Sequence, residues 1–202
     1  MTALRPKYPK AVTESLIKGD MAMDKRQQII EVVAYNPDWP HRYEADAKYL
    51  QTIFGDLIEA IYHIGSTAVP GIKAKPTIDM LMLVKNIQQV DPYNDDMASI
   101  GYEAWGEYGI AGRRFFVKGE QKRTHHLHAF QTDSGQCLRH LALRDYLINH
   151  LDEARRYGAL KSRLAEQYRY NRRAYALNKK SAIRSLEQRA LHWLKLKNIL
   201  DV

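Results

Sequence analysis

The chain has 202 residues, 45% of them hydrophobic, one cysteine and a formal net charge of +8. That length supports one domain with a helical appendage and leaves no room for a second independent enzyme domain. The single Cys137 excludes an intrachain disulfide, and neither an apolar leader in residues 1–7 nor a span-length apolar run is present, so a cytoplasmic protein without membrane contact is expected. The charge is uneven: residues 139–202 hold 15 basic against 6 acidic side chains, whereas residues 1–138 are close to neutral. A basic C-terminal third suits nucleic acid, an anionic nucleotide or a solvated helical face.

Residues 1–28 are polar with scattered proline and glycine and are expected to form a flexible extension. Residues 28–35 lean toward a strand that Asn36-Pro37-Asp38-Trp39-Pro40 stops. Tyr43, Ala47, Leu50, Ile53 and Phe54 recur at helical spacing and predict an amphipathic helix over 40–54, closed by Gly55. Residues 58–64 read as a strand entering a Gly65-Ser66 turn, and 77–84 as the next strand. A helix over 93–100 follows, ended by Gly101. Residues 113–117 and 125–130 read as the two strands of a hairpin with a polar tip. Beyond them apolar residues recur at helical spacing to the end. The fold class expected is α/β (α+β): a small mixed sheet flanked by helices over 29–138, with a basic helical region, 139–202, packed on it.

Several residues in this frame have chemistry to offer. Glycine at 65 lets a phosphate oxygen approach backbone N–H groups, and Ser66 adds a hydroxyl. Asp79 follows Ser66 with 12 residues between them, in an apolar strand where a carboxylate needs a partner or a task; Lys73, Lys75 or an arginine would supply a purely structural partner. His126 and His128 alternate along a strand and so share a face, suited to a transition metal, proton transfer or phosphate. Glu107 lies in a glycine-flanked loop from which a carboxylate can reach a site. Arg113, Arg114, Arg139, Arg144 and Lys179 are candidate phosphate partners, each with an ordinary ion-pair alternative. Tyr168, Tyr170 and Tyr175, interleaved with Arg169, Arg172 and Arg173, suit base stacking or core packing. There is no Walker A loop, no Rossmann glycine triplet, no cysteine-rich zinc pattern and no nucleophile elbow.

The Gly65-Ser66 turn, its spacing to Asp79 and the later strand with polar groups on one face resemble the nucleotidyltransferase superfamily. More specifically, Tyr35–Pro40, His63–Gly71, Lys75–Asp79, Gly112–Phe116, His126-Leu127-His128 and Arg139–Leu147, in this order, resemble the GrpB family. That resemblance implies a nucleotidyltransferase-like core and a nucleotide or other phosphorylated ligand, held by Gly65, Ser66, Lys75, Arg113, Arg114 and Arg144. It makes Asp79 and His128 the expected catalytic pair. Asp79, His126, His128 and Glu107 are the expected ligands of a divalent metal, magnesium, manganese or another transition ion. Active nucleotidyltransferases usually carry a second acid two residues after the first; here that position is Leu81. The expectations are therefore a metal-dependent nucleotidyl-transferring enzyme, a non-catalytic phospholigand binder or, third, a nucleic-acid-binding module.

Overall fold

The protein is described from a computed structural model, which covers residues 29–120 and 122–200. The extension expected over 1–28 lies outside the described residues. Helix α1 spans Trp39–Phe54 and opens with Pro40, whose fixed φ suits a first turn, while Gly55 at φ 50° ends it. Trp39, Leu50 and Phe54 lie on its inner face, as the apolar spacing requires, and so does Asp46. Strand β1, Ile58–Ile64, runs into Gly65 at φ 71° and a short 3-10 turn, Ser66–Ala68. Strand β2 is Ile78–Val84. A 3-10 stretch, Ile87–Tyr93, precedes the short helix α2, Asn94–Ser99, which lies within the helix expected over 93–100 and is followed by Gly101 at φ 86°.

Strands β3 (Tyr102–Ala104), β4 (Arg114–Lys118) and β5 (His125–Gln131) complete one sheet of order β1-β2-β5-β4-β3. β2 and β5 are parallel; the remaining neighbours are antiparallel, and β4 and β5 form the expected hairpin. The strand expected near 28–35 is replaced by a single bridge, in which Val33 and Ala74 exchange N–H···O bonds of 2.9 and 3.0 Å. Pro76 lies two residues beyond Ala74 and cannot donate to a longer ladder.

Met80, Met82 and Val84 point from β2 toward α1, joining Leu50, Phe54, Leu127 and Ala129 in the main core. Asp79, Leu81 and Leu83 point the other way. That second face is covered by helix α3, Gly135–Asn149, through Cys137 and Leu141. Helices α4, Leu151–Gln167, and α5, Arg172–Leu200, follow. Tyr157 and Leu186 pack with Ala142 and Tyr146 of α3 on the loop residues Val69 and Ile72. The C-terminal helices thereby roof the end of β2 that carries Asp79. Among the described residues no helix is long and apolar enough to cross a membrane.

Candidate phosphate-binding site

Parallel pairing sets Asp79 of β2 directly beside His126 of β5, and antiparallel pairing sets Ile64 of β1 on its other side. Neighbouring residues on paired strands share a face, so His126 meets the carboxylate: its Nδ1 lies 3.0 Å from Asp79 Oδ1. Gly65 closes over the other oxygen. A Cβ built on Gly65 would stand 2.5 Å from Asp79 Oδ2, so this position requires glycine both for space and for its positive φ. Burial works to raise the Asp79 pKa, but the His126 hydrogen bond and the surrounding positive charge, Lys179 included, outweigh it and hold it at about 2.

The roof supplies ammonium groups. On α4 the inward stripe reads Ala154, Tyr157, Gly158, Lys161, Leu164, Ala165, a lysine set among apolar residues. Gly158 lets the helix approach the Lys73 backbone closely, since an added Cβ would stand 3.3 Å from the Lys73 nitrogen. One turn later Lys161, 3% exposed, donates from Nζ to Ser66 Oγ at 2.6 Å and lies 4.7 Å from the Tyr157 ring centre. Lys179 comes from α5, over the Tyr175 ring at 5.4 Å. These groups, with Lys75, Asp79, His126 and Arg172, line a cavity of about 260 Å³.

Burial and mutual repulsion lower the lysines' affinity for protons. Lys161 falls to about 7, from desolvation first and the Lys179 charge second, with Asp79 pulling the other way. Lys75 falls to about 8 through desolvation and the Arg172 charge, and Lys179 is also lowered by burial. Each shift records positive charge held where water is scarce, opposed by one carboxylate. The cavity therefore carries an excess of cationic side chains over carboxylates.

A larger cavity of about 770 Å³ adjoins it, sharing Ile29, Ile30, Lys75 and Thr77. Ile30 and Val32 give it apolar walls, and Lys73, Arg123 and Arg169 give it further cations. The two spaces meet along the Lys75–Thr77 edge.

Of the residues singled out from sequence, Ser66, Lys75, Asp79, His126, Arg172, Tyr175 and Lys179 line the small cavity and Gly65 borders it. The others are elsewhere engaged. Arg113 is buried, bonded to the Tyr108 carbonyl at 2.7 Å, and its Nη1 lies 3.3 Å from His128 Nδ1. Arg114 forms a pair with Asp91, Nη2 to Oδ2 at 2.7 Å. Arg144 donates to Asp145 at 2.7 Å and to the His63 carbonyl at 3.3 Å. Arg139 pairs with Glu187, so part of the basic excess of the helices is neutralised internally, while Lys161 and Lys179 carry another part to the cavity. Tyr175 lines the cavity, whereas Tyr170 is exposed. Lys161 was not singled out from sequence; its signal was a lysine on the buried stripe of an otherwise regular amphipathic helix.

The expected metal set does not come together. Glu107 is exposed and its Oε1 accepts from the Gly112 N–H at 2.7 Å, capping its own loop. His126 turns Nδ1 to Asp79 and buries Nε2 without a partner. His128, whose pKa burial lowers to about 3, is a neutral acceptor beside Arg113. Leu81, fully buried, packs with Ile64 and Phe130 where a second acid would stand. Among the described residues no group of three or more His, Cys, Asp or Glu side chains is disposed to hold a metal ion. One carboxylate ringed by lysines does not fit magnesium, which needs near-octahedral oxygen ligation.

Comparison with known proteins bears on the fold around this site. The family model described as GrpB protein matches residues 29–189. The UPF0157 protein YqkA of Bacillus subtilis is 41% identical over 169 residues, covering 84% of this chain but 49% of that protein, so the chain spans about half the length of that relative. The glutamate-rich protein GrpB of Alkalihalophilus pseudofirmus is 30% identical over 157 residues, 75% of this chain and 90% of that one. A crystal structure of the conserved protein GrpB from Enterococcus faecalis superposes with a TM-score of 0.79 at 41% identity, covering 81% of this chain and 99% of that one. With the family model spanning both the Gly65–Asp79 segment and the lysine-bearing helices, this chain belongs to the GrpB family.

Proposed function

We propose that the protein binds a nucleotide or another phosphorylated small molecule in the Asp79 cavity. The observation that carries this reading is the gathering of Lys75, Lys161, Lys179 and Arg172 around a single carboxylate in an open space. A structural ion pair needs one cation for one anion; the surplus here is a cost in the absence of a ligand and becomes favourable when phosphate oxygens enter. Ser66, already held at 2.6 Å from Lys161, offers a hydroxyl to the same oxygens. The body of the ligand extends past Lys75 and Thr77 into the larger cavity, where Arg123 and Arg169 are suited to stacking or to a further anionic group.

Isothermal titration of the whole protein with tripolyphosphate and with ATP tests this reading. Binding is expected, and Lys161→Met is expected to weaken it about tenfold, the scale of one lost charge-assisted hydrogen bond. Equal affinity in wild type and variant would remove Lys161 from the site and the reading with it.

Transfer of a nucleoside monophosphate to an acceptor is the second reading. Asp79 favours it, being ionised, 30% exposed and turned into the cavity. Leu81 in place of a second acid stands against it. Pyrophosphate release from a nucleoside triphosphate in the presence of Mg²⁺ or Mn²⁺, abolished by Asp79→Asn, would support this reading.

A further inference from the structure

We propose that Asp79 is the internal counter-ion of the lysine cluster, and that the cavity takes a free phosphate-bearing anion in preference to its magnesium chelate. The proposal rests on the phospholigand reading above and goes beyond it by naming the charge state of what enters.

Two observations carry it. The first is the donor set. A magnesium ion holding Asp79 needs further oxygen ligands near an octahedron. Ser66 Oγ already receives the Lys161 ammonium at 2.6 Å. Thr67 Oγ1 lies 3.0 Å from His63 Nε2 and is buried beneath the turn. Of the carboxylate oxygens, Oδ1 is engaged by His126 and Oδ2 lies beside Gly65. A softer ion gains no better set, because His126 directs Nδ1 to Asp79 and keeps Nε2 buried.

The second observation is charge. The same cavity is lined by Lys75, Lys161, Lys179 and Arg172. A dication entering it meets repulsion from each of them and attraction from Asp79 alone. A polyphosphate already neutralised by magnesium brings less negative charge to the lysines than the free anion does, so chelation weakens the principal attraction. In the ligand-free protein Asp79 favours the charged form of Lys75, Lys161 and Lys179. That role needs a carboxylate close to the ammonium groups and makes no demand on a second acid, which accounts for Leu81 at the position two residues on.

The experiment is titration of the full chain with tripolyphosphate, first in EDTA and then in excess Mg²⁺, for wild type and Asp79→Asn, with folding checked by thermal melting. Binding is expected in EDTA, about tenfold weaker with magnesium in excess. Asp79→Asn is expected to tighten magnesium-free binding by about threefold, since it removes the one negative charge that opposes the entering anion. Binding that appears only with Mg²⁺ and disappears in Asp79→Asn would overturn the proposal and leave the phospholigand reading standing. Absence of binding under both conditions would overturn both.

Discussion

Two aspartates on opposite faces of one sheet show how the same side chain is closed off by partners in one place and left open to a cavity in the other. Asp46 of α1 is 6% exposed and fully matched: Lys118 Nζ lies 3.0 Å from both its oxygens and the Tyr102 hydroxyl donates at 2.7 Å. His125 lies 3.7 Å away on the same side. Asp79 of β2 is more exposed, has one hydrogen-bond partner, His126, and opens on a cavity with four cationic side chains. One carboxylate is balanced by one close cation and closed by packing. The other is outnumbered and left open, and that imbalance is what supports the proposed anion site.

Substitutions at the two sites separate these roles, and the largest effect belongs to the closed one. Asp46→Ala leaves Lys118 partly buried and unpaired, and chemical denaturation is expected to show a loss of about 3–5 kcal/mol with tripolyphosphate affinity unchanged. A loss near zero would mean that the pair is replaceable by water and that the contrast fails. Gly65→Ala places a methyl group 2.5 Å from Asp79 Oδ2 at a residue with φ 71°, and thermal unfolding should report about 1–3 kcal/mol of destabilisation.

Lys161→Met moves the two observables in opposite directions. Removing a desolvated charge is expected to raise the melting temperature, while affinity falls about tenfold. A fall in both would class Lys161 with Asp46, as structure. The smallest effect is that of pH on wild type. The Lys161 pKa of about 7 and the Lys75 pKa of about 8 lie below the usual lysine value, so both ammonium groups lose protons between pH 7 and 9 in the free protein. The Asp79 carboxylate stays ionised throughout. Tripolyphosphate affinity should therefore fall over that interval, and the ratio of wild type to Lys161→Met should shrink from about tenfold to about twofold. Stability runs the other way: the unfolded lysine holds a proton between pH 7 and 10.5 that the folded one releases, so rising pH stabilises the ligand-free fold.

Much of the fold is local in origin and was legible. The stripe beginning at Tyr43 forms α1, the apolar runs at 58–64 and 77–84 form adjacent strands, and the alternation at His126 and His128 places both on the Asp79 face. The run at 28–35 misled because strand propensity needs a partner edge, and the edge at Ala74 ends at Pro76. Asp46 was hidden inside a helix stripe, with its partners Tyr102 and Lys118 56 and 72 residues away. The arginines at 113, 114 and 144 look equally fit for phosphate in sequence, but each finds its own nearer acceptor in the fold.

The sequence by itself determined the strand and helix periods, the need for glycine before Ser66, the carboxylate at Asp79 and the missing second acid at Leu81, because these depend on neighbours a few residues apart. Only the tertiary structure decided what surrounds Asp79. Lys161 lies 95 residues from Ser66 and reaches it because α3, α4 and α5 fold back over the sheet, bringing distant charges into one poorly hydrated space. Charge balance in such a space is a sum over side chains that no stretch of sequence contains, and it is that sum which carries the proposal that Asp79 is the counter-ion of a lysine cluster.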